Sequence, residues 1–396
     1  MSSIPRPVPP QEFASTRRLR IISSQGLEAW HPSPGLRAIR REIRQLERYV
    51  PPFTDRTRIN LSLNEHPAPP PPAIAEALEG FSLERLVTYD QDQADHLRSL
   101  LAEREGVSPD NILLCPGSSH GLALLFSCLG GGPVLFPSLC WSYYPNLARL
   151  NALPVGTYDV LQREETFEID PLSVERALRQ EEVSLLLFIN PHMPTGALTG
   201  SDLILRCAAH ARDTLVLVDE AYHGFSAEAD SVASQVTEHP NIVVSKTFSK
   251  YFGLASIRVG YLVSSRQVIE QLEKMLSPFS LAPLSTAIAC AALESEPYYR
   301  EQAAVLMAVQ EAFRQRMATL PGVRPYRSHG NFLLVDMESA EEAQQAEARV
   351  HAAGMAVRSA RSYGLPSFLR VSVGTAEAMD RVAVALAARG GDHVAR

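Results

Sequence analysis

Lysine is nearly absent from this chain. Of the 37 lysines and arginines in 396 residues only three are lysines, Lys246, Lys250 and Lys274. A guanidinium stays charged and forms no Schiff base, so a lysine kept in such a chain suits a task that needs an amine able to deprotonate, although chance also leaves a few. Cysteine is scarce too: five residues, odd in number, widely spaced and without a Cys-x-x-Cys pair. Neither a disulfide framework nor a zinc site is expected, no metal is called for, and a reducing cytoplasm fits best. No run approaches the roughly eighteen apolar residues that span a bilayer, and Met1 to Pro10 is proline-rich without an apolar signal core, so neither a membrane nor export is expected. The formal net charge of −7 argues against nucleic acid as a partner of the whole chain.

What is present is a large apolar content, 45% of residues, enough to build two cores. Residues 1–58 form an arm with eleven arginines and five acids, whose helical spacing of Leu36, Ile39, Ile43 and Leu46 suits a solvated helix or a subunit contact. A nucleic-acid arm is the sharper reading, but no helix-turn-helix pattern follows. Beyond Pro69–Pro72 a helix is expected from Ala73. Short, mostly unalternating apolar runs then alternate with helical segments: 111–115, 133–136, 184–189, 214–218, 241–244 and 258–263. Strands of this kind are buried on both faces of a sheet. The fold expected is a doubly wound α/β domain over residues 59–277, with a mixed, mostly parallel sheet, and a smaller α+β domain over residues 278–396 containing strands at 331–335 and 369–373.

Two of the three lysines fall in Ser245-Lys-Thr-Phe-Ser-Lys-Tyr-Phe-Gly-Leu-Ala-Ser-Ile-Arg-Val-Gly260, between two strand-like runs, which puts Lys250 on a loop. This stretch resembles the fold-type I pyridoxal-phosphate enzymes, the class I and II aminotransferases. Their cofactor lysine follows a serine and precedes a phosphate-binding arginine by eight residues. Lys250 and Arg258 have that spacing and Lys246 does not. The resemblance implies that Thr247 and Ser249 stand beside the cofactor phosphate and the lysine.

Other segments follow in the family's order. Asp219 ends an apolar strand in Val-Asp-Glu-Ala-Tyr222, at the carboxyl edge where ligands of open α/β sheets bind. An Asp-Glu pair there also suits a helix N-cap. The resemblance makes Asp219 the partner of the cofactor's ring nitrogen and Tyr222 the donor to its ring hydroxyl. Gly117-Ser118-Ser119 opens an apolar helix, whose N-terminal amides and serine hydroxyls suit an anion, though any tight turn can use such residues. In the family this loop binds the cofactor phosphate. Trp141 matches the aromatic ring stacked on the cofactor, and equally suits a core position.

Asn190-Pro-His-Met193-Pro-Thr-Gly196 resembles the family's Asn-Pro-x-Asn-Pro-Thr-Gly, which implies that Asn190 and Met193 stand at the cofactor, with one departure. Met193 replaces an asparagine that shares the ring hydroxyl with the tyrosine, and methionine donates no hydrogen bond. His192 is a candidate to compensate. Arg370, among apolar neighbours, matches the arginine that takes the substrate carboxylate as a bidentate pair. Asn331 and Asn64 match positions beside the substrate and Tyr89 one lent to the neighbouring subunit's phosphate site.

The resemblance covers residues 60 to 380 and is to the histidinol-phosphate aminotransferase branch in particular. It implies a cytoplasmic, homodimeric enzyme with shared active sites that acts on an L-amino acid, with a 2-oxo acid as second substrate, through pyridoxal phosphate bound to Lys250. The departure at Met193 keeps a second chemistry in view, cyclisation after elimination or oxidation, as in specialised biosynthesis. A cofactor-binding regulator would need a winged helix ahead of the domain, for which the arm is too short.

Overall fold

The computed structural model describes residues 38–46, 58–89, 91–179 and 182–388, and the chain divides into two units, Met1–Gln45 and Leu46–Arg396. In the first unit the described residues hold one helical turn, Arg41–Gln45, with Ile39 and Ile43 exposed. Of the helix expected over 36–49, residues 38–40 and 46 are described and not α-helical, and 36, 37 and 47–49 lie outside the described residues.

The second unit is built on a seven-stranded sheet. Its spatial order is Ile112–Cys115, Gly260–Ser264, Ile242–Thr247, Leu215–Asp219, Leu185–Ile189, Val134–Pro137, Val155–Tyr158. Gly260–Ser264 runs antiparallel to both its neighbours, and the other pairings are parallel. Side chains alternate across the strands, and both faces are buried. Leu186 and Phe188 pack into one apolar cluster with Val216, Val218 and Val244; Leu185, Leu187 and Ile189 pack into another with Leu217 and Val243. That is why these runs carry no polar alternation. Helices cover the faces, among them Asp92–Glu105, Ser118–Ser127 and Ser201–His210. The helix expected from Ala73 starts one residue earlier, as Pro72–Glu79, with proline in its first turn.

A smaller antiparallel sheet follows, in the order Arg324–Pro325, Phe332–Asp336, Phe368–Ser372, Arg358–Ser359. The long helical run between the sheets is two helices, Pro283–Glu294 and Glu296–Ala318, separated at Ser295. Residues 59–64 reach across to this second sheet. Ile59–Asn60 pairs in parallel with Met355–Ala356, and the Ser372 amide donates to Leu61 O at 2.9 Å. Two sheets and the crossing segment therefore converge at one place. No helix among the described residues is long and apolar enough to cross a membrane.

The central strand predicts where stability is concentrated. Phe188 is fully buried, so Phe188→Ala should cost about 3–5 kcal/mol through lost contacts and a residual cavity. Leu172→Ala, at an exposed site, should stay within about 0.5 kcal/mol. Calorimetric melting of both variants checks the contrast.

Candidate active site

The carboxyl edge of the large sheet opens into a cavity of about 310 Å³ whose lining includes Ser118, Trp141, Met193, Asp219, Lys250 and Arg370. Ser119, Tyr222, Thr247, Ser249 and Arg258 line it as well. Thus eleven of the residues singled out from sequence meet on one wall or another.

Lys250 leaves the turn after the Ile242–Thr247 strand and donates from Nζ to Leu63 O at 2.7 Å. Burial pushes its amine down to about 8, the positive charges of Arg370 and Arg258 add to the effect, and Glu65 opposes it. Lys246 has a different fate. It is buried within the strand and paired with Glu105 at 2.7 Å and Glu220 at 3.2 Å. Burial alone would push its amine down, but Glu220 and Glu105 outweigh this and hold it above the usual lysine value.

Asp219 is buried at the end of its strand. No helix follows it, so the N-cap reading fails: Oδ1 accepts from the Ala221 amide at 3.0 Å within a turn, and Oδ2 accepts from the Tyr144 hydroxyl at 2.5 Å. Burial raises its carboxyl to about 6, against the pull of the Tyr144 and Ala221 hydrogen bonds. A cation or N–H placed here would restore its charge. Tyr144 was not singled out from sequence, although it stands three residues after Trp141. The Trp141 ring stacks on Tyr143 at 4.6 Å and meets Tyr144 edge-on.

One end of the cavity is an anion cradle. Gly117 precedes the helix Ser118–Ser127, whose first-turn amides have no intrahelical partner. Arg258 closes the cradle and donates to Ser249 Oγ at 3.2 Å, while Thr247 Oγ1 donates to the same oxygen at 3.1 Å. A Cβ at Gly117 would stand 2.3 Å from Arg258 Nη2, and the φ of 79° there also favours glycine. Arg258 and Asn64 both sit at φ 54°, a left-handed conformation costing about 1–3 kcal/mol that concentrates at functional sites.

The other end is cationic too. Arg370 is buried in the second sheet, donating to Tyr363 Oη at 3.1 Å, to Met193 Sδ at 3.4 Å and to Ser62 O. Its Nε has no partner among the described residues. Arg358 lies directly opposite Arg370 across the strands, also lines the cavity, and likewise has an unpartnered Nε. Nothing in its sequence surroundings separated Arg358 from the other arginines; pairing between distant strands brings it here. Tyr363, bonded to Arg370, belongs to this end, and Glu65 also lines the cavity.

Four expectations are corrected. Asn190 does not reach the cavity: its amide exchanges two hydrogen bonds with the Thr199 backbone, at 2.9 and 3.2 Å, bracing the loop. His192 does not compensate for Met193: it is not among the residues lining the cavity, its Nδ1 is bonded to Thr195 Oγ1 at 2.8 Å, and burial holds the imidazole at about 4. Asn64 and Asn331 stand behind the lining rather than in it, Asn64 donating to Tyr222 Oη at 2.9 Å and Asn331 to Asn64 O at 3.0 Å. Tyr89, expected to serve a neighbouring subunit, stands outside this chain's own cavity, 80% exposed and stacked on Phe279 at 4.4 Å, and is not among the four.

A cavity of this kind selects its contents narrowly. It requires an anion at the Ser118–Arg258 end, another at the Arg370 end, and between them a group that reacts with an amine. Pyridoxal phosphate together with an anionic substrate meets all three requirements, and the arrangement is that of the fold-type I enzymes. The family model of the class I and II aminotransferases matches residues 56–386, and the chain belongs to this family of pyridoxal-phosphate-dependent enzymes. It is 33% identical over 352 residues to the histidinol-phosphate aminotransferase of Chromohalobacter salexigens, covering 87% of this chain and 97% of that one. To histidinol-phosphate aminotransferase 1 of Bordetella parapertussis it is 34% identical over 322 residues, 80% of this chain and 88% of that one. The solved histidinol-phosphate aminotransferase of Sinorhizobium meliloti, in complex with pyridoxal-5'-phosphate, has a similar fold: TM-score 0.76, 24% identity, 92% and 98% of the two chains.

The two lysines should behave oppositely. An amine reacts when neutral, so acetylation of Lys250 in the cofactor-free protein should rise as the pH passes upward through about 8, with Lys246 protected across the neutral range. Peptide mass spectrometry after timed labelling reads both. Lys246→Met strands two buried carboxylates and should cost about 3–5 kcal/mol in chemical denaturation.

Proposed function

We propose that this aminotransferase moves the amino group of an anionic primary amine to a 2-oxo acid. The amine is an L-amino acid or a phosphorylated amino alcohol of the histidinol phosphate kind. The observation that carries this reading is the Lys250 amine, pushed down to about 8, in one cavity with Arg258 at one end and Arg370 with Arg358 at the other.

Pyridoxal phosphate supplies an aldehyde that bonds to an amine and a protonated ring that accepts the electron pair released at the substrate's α-carbon. Lys250 would bond to that aldehyde and, once the substrate amine displaces it, take the α-proton on Nζ and return it one carbon away. Asp219 would accept a hydrogen bond from the ring nitrogen and keep it protonated. Tyr222 would donate to the ring hydroxyl oxygen, and Trp141 would cover the ring face and exclude water. Ser118, Ser119, Thr247, Ser249 and Arg258 would hold the phosphate. Arg370 and Arg358 take the substrate's anion, a pairing that desolvated guanidinium groups favour.

The wider organisation follows from these roles. Residues 59–277 serve as the cofactor-holding domain and 278–396 as the domain that brings Arg370 to it, with 1–58 as an arm. The exposed apolar side chains Leu83, Leu86, Val87 and Tyr89 support a homodimer in which Tyr89 reaches the second copy's phosphate site. Free cysteines support a cytoplasmic location.

Met193 favours a second reading. It is buried against Arg370 where the family has an amide donor, so part of the turnover would end in elimination, cyclisation or oxidation rather than transamination. Met193→Asn should then raise the fraction of turnovers that end in pyridoxamine phosphate; an unchanged fraction removes this reading.

Borohydride reduction of the cofactor-loaded protein followed by peptide mapping should place the label on Lys250. Lys250→Ala should keep its melting temperature yet lose turnover by roughly 10³-fold or more. Stopped-flow absorbance with histidinol phosphate and a panel of L-amino acids identifies the donor. Label on Lys246, or no spectral response to any amine, would sink the proposal.

A further inference from the structure

Asn64 touches no open space, being 1% exposed, yet its hydrogen bonds determine how a cavity residue behaves. Its backbone N–H donates to Ser372 Oγ at 2.8 Å. An amide N–H can only donate, so the serine oxygen accepts here and its own proton is available. That proton goes to Asn64 Oδ1, at 2.8 Å. With Oδ1 turned to Ser372, the other side of the amide is Nδ2, which faces Tyr222 Oη at 2.9 Å. Nδ2 has no lone pair to offer, so the tyrosine oxygen must accept. Asn331 donates to Asn64 O at 3.0 Å and holds the backbone in place.

The consequence falls on the Tyr222 proton. Its oxygen is engaged by Asn64, and no described residue accepts the hydroxyl hydrogen. The ring is fixed edge-on against Phe332 at 4.9 Å, and the residue lines the cavity with Met193, Asp219 and Lys250. The charged and titratable groups around it are Arg370, Tyr363 and Asp219, with the Lys250 amine 5.9 Å over its ring. Burial raises its phenol to about 12 while Arg370 and the Asn64 bond pull it down, so it meets the cavity as a neutral donor. Met193 supplies no second donor at this point.

We infer that Asn64 is a positioning residue: by occupying the acceptor side of Tyr222 it commits the hydroxyl proton to the cavity, where it meets the ring oxygen of the cofactor. Ser372 orients Asn64 for this task, and the chain Ser372, Asn64, Tyr222 does with one directed donor what two donors do where an amide stands at position 193. The inference rests on the reading that the cofactor lies among Asp219, Tyr222 and Lys250.

The test is a pH titration of the bound cofactor's visible absorbance in the cofactor-loaded protein. A donor to the ring oxygen favours its ionised form, so loss of the donor raises the midpoint. Asn64→Asp presents an acceptor to Tyr222, draws the proton away and should raise the midpoint by about one pH unit, the scale of one hydrogen bond to a charged group. In a Tyr222→Phe background the same substitution should move it by less than half as much, the remainder being the effect of added negative charge. Ser372→Ala adds no charge; it should shift the midpoint upward by a smaller amount, and that shift should vanish in Tyr222→Phe. Equal shifts with and without the hydroxyl overturn the inference, as does an unmoved midpoint in both Asn64→Asp and Ser372→Ala. An unmodified protein that takes up no chromophore overturns the cofactor reading and this inference together, which separates the two failures.

Discussion

The site depends on the register of three adjacent parallel strands. Ile189 lies opposite Asp219 and Asp219 opposite Ser245. The ladder runs on into the turns, with the Asn190 amide donating to Asp219 O and the Glu220 amide to Ser245 O, each at 2.9 Å. The loop carrying Met193, the turn after Asp219 and the turn carrying Lys250 therefore leave the sheet at one level. Successive side chains point to opposite faces, so Asp219 looks into the cavity while Glu220 looks away to Lys246. A slip of one residue would exchange the two acids and turn the lysines' environments around with them.

The same alternation sorts the buried charges. On the far side of the strand ends Lys246 is held by Glu105 and Glu220, with Tyr261 donating to Glu105 at 2.7 Å and Ser231 to Glu220 at 2.6 Å. Those ions are compensated within the protein. In the cavity the balance is left open, since Arg258, Arg358, Arg370 and Lys250 face Asp219 and Glu65. Of these cations Arg370 is buried, and a buried cation without a carboxylate partner is costly, a cost that an anionic occupant relieves. Two consequences follow from the one imbalance: the cavity favours phosphate and carboxylate, and the Lys250 amine gives up its proton more readily.

Met193 shows how a departure from a family pattern is absorbed. Its sulfur accepts a hydrogen bond from Arg370, so the position joins the cationic end of the cavity. The crossing segment 59–64 then gains importance, because Leu63 O receives the Lys250 amine and Asn64 receives and passes on the hydrogen bonds that end at Tyr222. A short stretch hydrogen-bonded to the smaller sheet thereby touches both Lys250 and Tyr222 of the larger one.

Sequence alone determined the elements and their class. Apolar runs without polar alternation become strands buried on both faces, and the order of short motifs about Asp219, Lys250 and Arg258 marked the family, because those motifs act through local turns whose geometry a few consecutive residues dictate. Even there it misjudged partners: the amide of Asn190 looks the same in sequence whether it meets a cofactor or Thr199. Tertiary structure decided which lysine is neutralised by acids and which faces open space, since Glu105 and Glu220 reach Lys246 from distant segments. It also decided that Arg358 stands beside Arg370 and that Asn64 directs Tyr222, because strand pairing and hydrogen-bond direction between residues hundreds of positions apart leave no periodicity in the chain to be read.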